Sequence, residues 1–579
     1  MLTRSGKGFK NFYKFDGQAD CCCRLLKTSF FAPVVSAGIP VPLRTGQEWG
    51  PAREKIPYWM GSKDAEVMKE GIIMKKLMTL ALAAAMMLGA TTGANAIDFK
   101  AKGQWIMSFD YGMHGTFGNG KAANNAGFAR NVGKYEDQFE AMQRVRLQLD
   151  AVASEALSGT VFFEIGDQVW GQDKTGGALG ADNNSVVELK RAYIDWMVPQ
   201  TDLKVRMGIQ GIALPSFTTN ASQILDDDVA AVTLNYQFNE NVALTAFWAR
   251  PYNDNYGYWG NNDKQYNNYM DNMDMFAVLL PLTFDGVKVT PWAMYGMIGV
   301  NSWDAIDNDM HKGSYPAFSL RPYPLAYNGG SFDTDKAYGS AFWAGLPISV
   351  TAFDPLNIEL DINYGYVESM GRYEATRYDN WTTRMGDTKR EGWLVKALVE
   401  YKMDWGTPGI FGWYSSGDDG NVKNGSERMP TLSGCGNFMS FMGDANYGWG
   451  DGRLYDRNLT YAGTWGVGLR IHDMSFVEDL KHSFRVAYWG GTNSPAMAKY
   501  VRNSWGWNGS ADGAYGTPEG PYLTTNDGLL EFNLVNSYQI YENLEANLEL
   551  GYIVNMVDDD TWKRSYRTDS YKKQEDRKS

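Results

Sequence analysis

The chain has 579 residues and a formal net charge of −13, and charged residues make up 21% of it. A mean hydropathy of −0.39 excludes a bundle of membrane-spanning helices, and the negative charge argues against binding of nucleic acid. The 34 Tyr, 20 Trp and 63 Gly favour a protein built from many strands joined by turns.

A secretion signal is predicted well inside the chain. A basic start at Met74-Lys75-Lys76 precedes an apolar run from Leu77 to Gly89 and an Ala-x-Ala site that ends at Ala96. The run is too short for a transmembrane helix, so we expect cleavage after Ala96. Residues 74–96 are therefore predicted to be a cleaved signal peptide, and residues 1–73 a spurious or disordered extension.

From residue 98 onwards, apolar and polar residues alternate with the period of two that is typical of β-strands. The opening strand places Phe99, Trp105 and Phe109 on one face and Lys100 and Gln104 on the other. The same alternation predicts further strands along the whole chain. They lie near residues 98–113, 138–153, 159–170, 185–198, 203–212, 229–238, 242–250, 273–284, 287–298, 336–351, 356–367, 391–403, 409–416, 459–473, 481–490, 528–540 and 544–554.

The connections between these strands are alternately short and long. Asn239-Glu240-Asn241 is a short one, and 299–335 is a long, polar one. Short turns on one rim and long loops on the other are typical of outer-membrane barrels. Residues 97–554 are therefore predicted to be an all-β, transmembrane antiparallel β-barrel of 16–18 strands, with short periplasmic turns and long extracellular loops. Residues 555–579 are predicted to be an irregular or truncated end without a lipid-facing closing strand.

Aromatic residues recur near the predicted strand ends, where membrane proteins place them at the headgroup level. The alternative is that Tyr and Trp are present only as strand formers. These residues are Trp105, Tyr111, Trp196, Tyr236, Trp248, Trp292, Tyr295, Trp393, Tyr401, Trp489 and Tyr552. A barrel of this size is too wide for side chains to fill, so a polar inner face predicts a water-filled lumen. The expected function is passive diffusion of small hydrophilic solutes and ions through the outer membrane of a Gram-negative bacterium.

A constriction is predicted after the fifth strand, where the connection from Ile212 to Leu225 resembles the loop that folds into the lumen of general porins. Three aspartates follow it directly, and basic residues on strands two to five face the lumen by alternation. Lys190 is expected to point away from its neighbour Arg191. The predicted constriction residues are Arg144, Arg146, Arg191, Lys204, Arg206, Asp226, Asp227 and Asp228. A basic wall opposite an acidic loop would filter solutes by charge; the alternative is that the aspartates are solvated and the arginines pair with neighbouring carboxylates.

Three segments carry a resemblance to a known family. IDFKAKGQWIMSFDYG at the start of the first strand, VELKRAYIDWMVPQTDLKVRMGIQG at 187–211 and TPGIFGWYSSGDDGNVKNGSERMPTL at 407–432 look like the outer-membrane homotrimeric porins of sulfate-reducing bacteria. The resemblance covers about 97–560 and departs at both ends. It implies a homotrimer of barrels, each with its own pore, surrounded by outer-membrane lipid and lipopolysaccharide.

Other functions find less support in the sequence. No phosphate-binding loop, H-E-x-x-H motif or paired Cys motif is present, so neither an enzyme nor a cofactor is expected. Two alternatives stay open. One is a substrate-specific channel, in which the aromatic-rich connections 250–270, 315–327 and 500–522 line a solute path. The other is a structural or adhesive surface barrel in which the long loops do the work.

Overall fold

The computed structural model describes residues 97–112, 138–180, 187–253, 269–300, 302, 320–322, 332–334, 336–377, 380, 382–434, 436–439, 461–500, 522–558 and 560–561. The predicted extension, the signal peptide and most of the final residues lie outside the described residues. No helix in the described part of the chain is long and apolar enough to cross a membrane.

Antiparallel strands account for most of the described residues, as the period-two alternation predicts. They are β1 (Asp98–Gly112), β2 (Gln138–Ser154), β3 (Leu157–Val169), β4 (Val187–Met197), β5 (Leu203–Ala213), β6 (Asp226–Gln237), β7 (Ala243–Asn253), β8 (Asn272–Leu279), β9 (Leu282–Phe284), β10 (Val287–Val289), β11 (Trp292–Gly299), β12 (Phe332–Thr334), β13 (Tyr338–Phe353), β14 (Leu356–Val367), β15 (Gly371–Thr376), β16 (Thr383–Asp387), β17 (Arg390–Tyr401), β18 (Thr407–Ser415), β19 (Thr464–Val477), β20 (Leu480–Gly491), β21 (Gly528–Tyr541) and β22 (Leu544–Met556). Short 3₁₀ helices cover Tyr269–Asp271 and Pro495–Lys499.

The main sheet is a meander in which each strand pairs with the next one along the chain. Nineteen strands belong to it, and β12, β15 and β16 form a separate three-stranded sheet. Two strands of the sheet are interrupted by a proline, which has no N–H to donate to the ladder. β9 continues β8 beyond Pro281, and β10 leads into β11 across Pro291. Counting each interrupted strand once gives seventeen, within the predicted range of 16–18. Among the described residues, β1 pairs with β2 and β22 with β21, and no pairing joins β1 to β22.

The two rims of the sheet differ as the sequence predicts. One rim, the turn rim, carries only short connections, such as Asp285-Gly286 between β9 and β10 and Asp354-Pro355 between β13 and β14. The opposite rim, the loop rim, carries the long ones, including 214–225 after β5 and 416–463 after β18. The predicted fold class, an all-β antiparallel barrel of the transmembrane type, is confirmed in its strands, its pairing and its two unlike rims.

The two faces of the sheet differ in the way that the alternation predicts. Large apolar side chains point outward, and Phe109, Leu469 and Leu550 remain 60%, 55% and 53% exposed. Most of the predicted interfacial aromatics lie on this outer face. Two of them do not, because Trp292 and Trp489 are buried on the inner face, so the prediction is wrong for these two.

The inner face is polar only in part, which corrects the expectation that the second face of the sheet is polar. On β8 and β11, Met273, Met275, Trp292 and Met294 are buried on the inner face. They belong to an apolar cluster that also contains Leu214 and other residues of loops from the loop rim. Burial of these side chains beneath inward-folded loops explains why the alternation alone does not reveal them.

Candidate pore constriction

The connection from residue 214 to residue 225, here named the crossing loop, begins where β5 ends and stops where β6 begins. It folds against the inner face of the sheet, where Leu214, Ile224 and Leu225 are buried. Its polar part contacts β14 and β17 through Ser216 and Thr219. β7, β8, β11 and β13 stand between β6 and β14 along the sheet, so the loop crosses the interior to a distant part of the wall.

A buried ion pair receives the crossing loop. Asp361 on β14 and Lys396 on β17 stand opposite each other in the ladder, with 3.5 Å between the Lys396 Nζ and the Asp361 Oδ2. Both side chains are 1% exposed. Ser216 Oγ donates to the Asp361 carboxylate over 2.7 Å, and Lys396 Nζ donates to Thr219 Oγ1 over 2.7 Å. This ion pair is not among the predicted site residues. The alternation indicates only that Asp361 and Lys396 are polar residues on the inner faces of β14 and β17.

A second loop, which belongs to the connection 416–463 after β18, meets the crossing loop. Leu225 and Ser433 form a parallel bridge, and the Leu432 N–H donates to the Ile224 carbonyl over 2.9 Å. Gln223 Nε2 also donates to the carbonyl of Gly436 over 2.6 Å. Backbone hydrogen bonds between the two loops satisfy groups that would otherwise be buried without partners. The two loops therefore form one inward-folded unit.

The second loop is fixed to the wall by a buried arginine. Arg390, at the start of β17, donates to the carbonyls of Arg428, Met429 and Arg321 over 3.0, 2.8 and 2.8 Å. Trp343 on β13 also donates to the carbonyl of Pro430 over 3.0 Å. These bonds hold the loop on the inner face of β13 and β17.

Basic side chains project inward from β2, as predicted. Arg146 Nε lies 2.7 Å and Arg144 Nε 3.6 Å from the two oxygens of Glu164 on β3. Both arginines are largely buried, at 3% and 6% exposure. The pairing with a neighbouring carboxylate is the alternative that the sequence analysis left open for these arginines.

Lys190 and Arg191 both contact the carboxylate of Asp228 on β6. The distances are 3.0 Å from Lys190 Nζ and 2.5 Å from Arg191 Nε. The pairing of β3 with β4 shifts register between Phe162 and Phe163, which leaves Lys190 as an extra residue in β4. A bulge of this kind breaks the strict alternation of side chains. The prediction that Lys190 points away from Arg191 is therefore wrong.

A third group of ion pairs lies nearer the turn rim. Arg206 on β5 binds both oxygens of Asp195 on β4, at 2.7 and 2.8 Å, and Lys204 Nζ lies 3.0 Å from the same carboxylate. The Arg206 guanidinium also lies 4.1 Å from the centre of the Tyr193 ring. The bidentate geometry holds this guanidinium firmly on the wall.

The three predicted aspartates occupy different environments. Asp226 is 7% exposed, and its N–H donates to the carbonyl of Ser433. Asp227 is exposed and accepts a hydrogen bond from Ser433 Oγ over 2.7 Å. Asp228 contacts Lys190 and Arg191 directly, so it lies against the basic residues and not across the lumen from them.

Six cations thus line the inner face of β2, β4 and β5, and we name this group the basic wall. Its members are Arg144, Arg146, Lys190, Arg191, Lys204 and Arg206. Their described ion-pair partners include the carboxylates of Glu164, Asp195 and Asp228. Cations and carboxylates therefore form one charged surface on this side of the interior.

The histidines of the described part do not form a catalytic or metal site with each other. His472 Nε2 accepts a hydrogen bond from Arg485 Nε over 3.3 Å, and His482 Nδ1 lies 2.7 Å from Asn536 Oδ1. Within the described residues, no group of three or more His, Cys, Asp or Glu side chains is placed to hold a metal ion.

No family model matches the sequence, and no curated protein is similar to it. Solved structures give distant likenesses. OccK11 (OpdR) of Pseudomonas aeruginosa is 11% identical over 79% of this chain and 90% of that chain, with a TM-score of 0.38. A BenF-like porin from Pseudomonas fluorescens Pf-5 is 9% identical over 79% and 94%, and the outer membrane protein opdK of Pseudomonas aeruginosa is 8% identical over 80% and 95%, both with a TM-score of 0.40. Likenesses this distant identify no substrate, and the fold rests on the strand pairing described above.

Proposed function

We propose that the chain forms a channel in the outer membrane of a Gram-negative bacterium and lets small hydrophilic solutes and ions diffuse through it. The outward face of the sheet is the observation that carries this proposal. Trp105, Phe109, Leu469 and Leu550 expose large apolar side chains on strands long enough to cross a bilayer. Soluble proteins rarely expose apolar surfaces of this extent, whereas a barrel wall in lipid requires one.

The solute path on this proposal runs between the basic wall and the crossing loop. The opposite half of the interior is occupied by the apolar cluster that contains Met275, Trp343 and Phe438. The basic wall, with its six cations on this side, is expected to give the channel a preference for anions. Charge filtering of this kind is a common source of pore selectivity.

A substrate-specific channel is the second candidate. It is favoured by the two loops that join within the interior at Leu225 and Ser433, because loops folded inward in this way are expected to narrow the path. A narrow passage with fixed arginines can bind an anionic solute, and its flux then saturates with solute concentration. A general pore instead conducts in proportion to concentration.

The assembly and the export route remain proposals from the sequence. We propose a homotrimer, in accordance with the resemblance to trimeric porins, and export by a signal peptide cleaved after Ala96. Outer-membrane lipid and lipopolysaccharide then surround the apolar outer face. Neither an enzymatic activity nor a cofactor is part of the proposal.

Single-channel recording in planar bilayers tests the function. Large ohmic steps, with an anion current exceeding the cation current in a salt gradient, support the proposal. Steps in threes support the trimer, and saturation by one solute supports the specific channel. Absence of conductance from the folded protein would overturn the channel function and leave the adhesive alternative.

Reversing the charge of Asp226, Asp227 and Asp228 together tests the constriction. The ion selectivity is expected to change, because these residues adjoin the basic wall and the crossing loop. An unchanged reversal potential in the folded variant would remove the aspartates from the constriction. That result would not contradict the channel function, which is tested by the conductance of the wild-type protein.

A further inference from the structure

We infer that Asp361 and Lys396 are positioning residues that latch the crossing loop to the far wall and thereby set the width of the pore. The inference rests on the proposed channel function. Neither residue lies at the basic wall or among the predicted constriction residues. Their effect on solutes is exerted through the crossing loop.

The carboxylate of Asp361 collects donors from one short stretch of the crossing loop. Its Oδ2 accepts from Ser216 Oγ over 2.7 Å, from the Thr218 N–H over 3.3 Å and from Thr218 Oγ1. Its Oδ1 accepts from the Phe217 N–H over 3.0 Å. One carboxylate therefore holds two backbone amides and two hydroxyl groups of the loop. Hydrogen bonds to a charged acceptor are among the stronger ones in proteins.

Lys396 completes the latch from the neighbouring strand. Its Nζ donates to Ser216 Oγ over 3.0 Å and to Thr219 Oγ1 over 2.7 Å, and it lies 5.9 Å from the centre of the Tyr461 ring. The ammonium thus binds the loop and also balances the charge of Asp361. Lys396 and Asp361 bind the same four-residue stretch of the loop, Ser216 to Thr219, from two strands.

The burial of the pair depends on the loop. Asp361 and Lys396 face the interior of the barrel. The crossing loop covers them there, and each side chain is 1% exposed. The loop in turn has backbone N–H groups that need partners once they leave water. If the loop moves away, its amides and hydroxyls lose the Asp361 carboxylate and Asp361 keeps Lys396, so the latched position is preferred. The loop is therefore a fixed strap across the interior and not a mobile gate.

The location of the latch determines its effect on the pore. The loop starts at β5, next to the basic wall, and the latch lies on β14 and β17. A loop whose ends join β5 and β6, and whose residues 216–219 are held at β14 and β17, keeps the passage beside the basic wall narrow. Release of residues 216–219 is expected to widen the passage and to move solutes away from the arginines.

Removal of the latch from the wall side is the first test. Asp361→Ala combined with Lys396→Met is expected to raise the single-channel conductance about twofold or more and to weaken the anion preference. The exposed ion pair Asp473–Lys481 at the turn rim, with side chains 67% and 62% exposed, provides the matched control. Asp473→Ala with Lys481→Met is expected to leave the conductance unchanged. Equal conductance of the latch variant and the wild type would overturn the inference.

A second test acts from the loop side and preserves the wall. Ser216→Ala with Thr218→Val removes two hydroxyl donors while Asp361 and Lys396 stay paired. We expect a conductance between those of the wild type and the wall-side variant. This variant can be tested even if the wall-side variant does not fold. If its conductance equals that of the wild type, the inference is contradicted.

A covalent replacement of the latch separates positioning from a general loss of structure. Ser216→Cys with Asp361→Cys allows a short bifunctional thiol reagent to join the loop to β14. The unreacted form is expected to show the wide conductance, and the joined form the narrow one. A joined form that stays wide would show that loop position does not set the pore. A wild-type protein that shows no conductance would instead refute the proposed channel function.

Discussion

Lys190 and Arg191 are neighbours in β4, yet both side chains contact the carboxylate of Asp228, at 3.0 and 2.5 Å. The bulge between β3 and β4 makes this possible, because the register shift at Phe162 and Phe163 breaks the alternation of sides. Lys190 also lies 3.8 Å from Glu164, which links this group to Arg144 and Arg146. The bulge therefore joins two sets of ion pairs into one charged surface.

Neutralising the β2 arginines is expected to reduce the anion preference. Arg144→Gln with Arg146→Gln removes two cations while Glu164 keeps Lys190 as a partner at 3.8 Å. We expect the ratio of anion to cation permeability to fall to roughly half. The reversal potential in a potassium chloride gradient measures this ratio.

The control for the arginine variant is Lys481→Gln, which removes an exposed cation at the turn rim. It is expected to leave the reversal potential unchanged. Equal shifts for the two variants would show that the selectivity arises from total charge and not from the basic wall.

A charged residue in the outer face is expected to destabilise the barrel according to its depth. Leu469 lies near the middle of β19 and Phe476 near the turn rim, and both point outward. Leu469→Arg is expected to lower the free energy of unfolding in lipid vesicles by about 2–4 kcal/mol, and Phe476→Arg by about 0–1 kcal/mol. Urea titrations measure both. Equal costs at the two depths would contradict a lipid-facing outer surface.

The loop that follows β18 is expected to lose stability as the pH rises. Burial raises the pKa of Glu427 to about 7, and the carboxylates of Asp418 and Asp419 act in the same direction. The folded loop therefore holds a proton on Glu427 between its ordinary pKa of about 4.5 and about 7. The stabilisation is complete below the ordinary pKa and is lost as the pH passes through about 7.

Amide hydrogen exchange of residues 418–427 at pH 5 and pH 8, corrected for intrinsic exchange rates, measures this effect. Protection is expected to be greater at pH 5. Glu427→Gln, which cannot ionise, is expected to remove the difference. Greater protection of the unmodified loop at pH 8 would show that the carboxyl group is stabilised in its charged form.

Gly208 is expected to be intolerant of a side chain. Its φ is +130°, and an added Cβ would lie 2.3 Å from the carbonyl oxygen of Ala192 on the neighbouring strand. Gly208→Ala is therefore expected to cost about 1–3 kcal/mol in the free energy of unfolding. Gly159→Ala is the control, since its added Cβ would come no closer than 3.9 Å to Tyr193. Similar unfolding midpoints for the two variants would contradict this prediction.

The strands and rims follow from the sequence because a lipid-facing sheet must alternate apolar and polar residues. Arg144 and Arg146 are assigned to the inner face by this rule, and the structure places them there. Trp292 and Trp489 were assigned wrongly, because an aromatic side chain suits both a membrane interface and an apolar cluster under a loop. The alternation does not distinguish the two environments.

The site was predictable only where it depends on local sequence. The crossing loop is recognisable from its position after β5, and it does fold inward. The roles of the eight predicted constriction residues stay a prediction, although Asp228 and Arg191 are in contact. Asp361 and Lys396 were missed because their partners are far away in the chain, and the bulge at Lys190 has no recognised sequence signal.

The wide separation of the latch and its loop has a consequence for biogenesis. Ser216 and its acceptor Asp361 are 145 positions apart, and Ser216 and Lys396 are 180 positions apart. Contacts this distant in the chain form late, because the intervening segment must first be organised. A nascent barrel that stops before β17 joins has Asp361 but lacks Lys396, so the complete anchor of the crossing loop is expected only after β14 and β17 have paired.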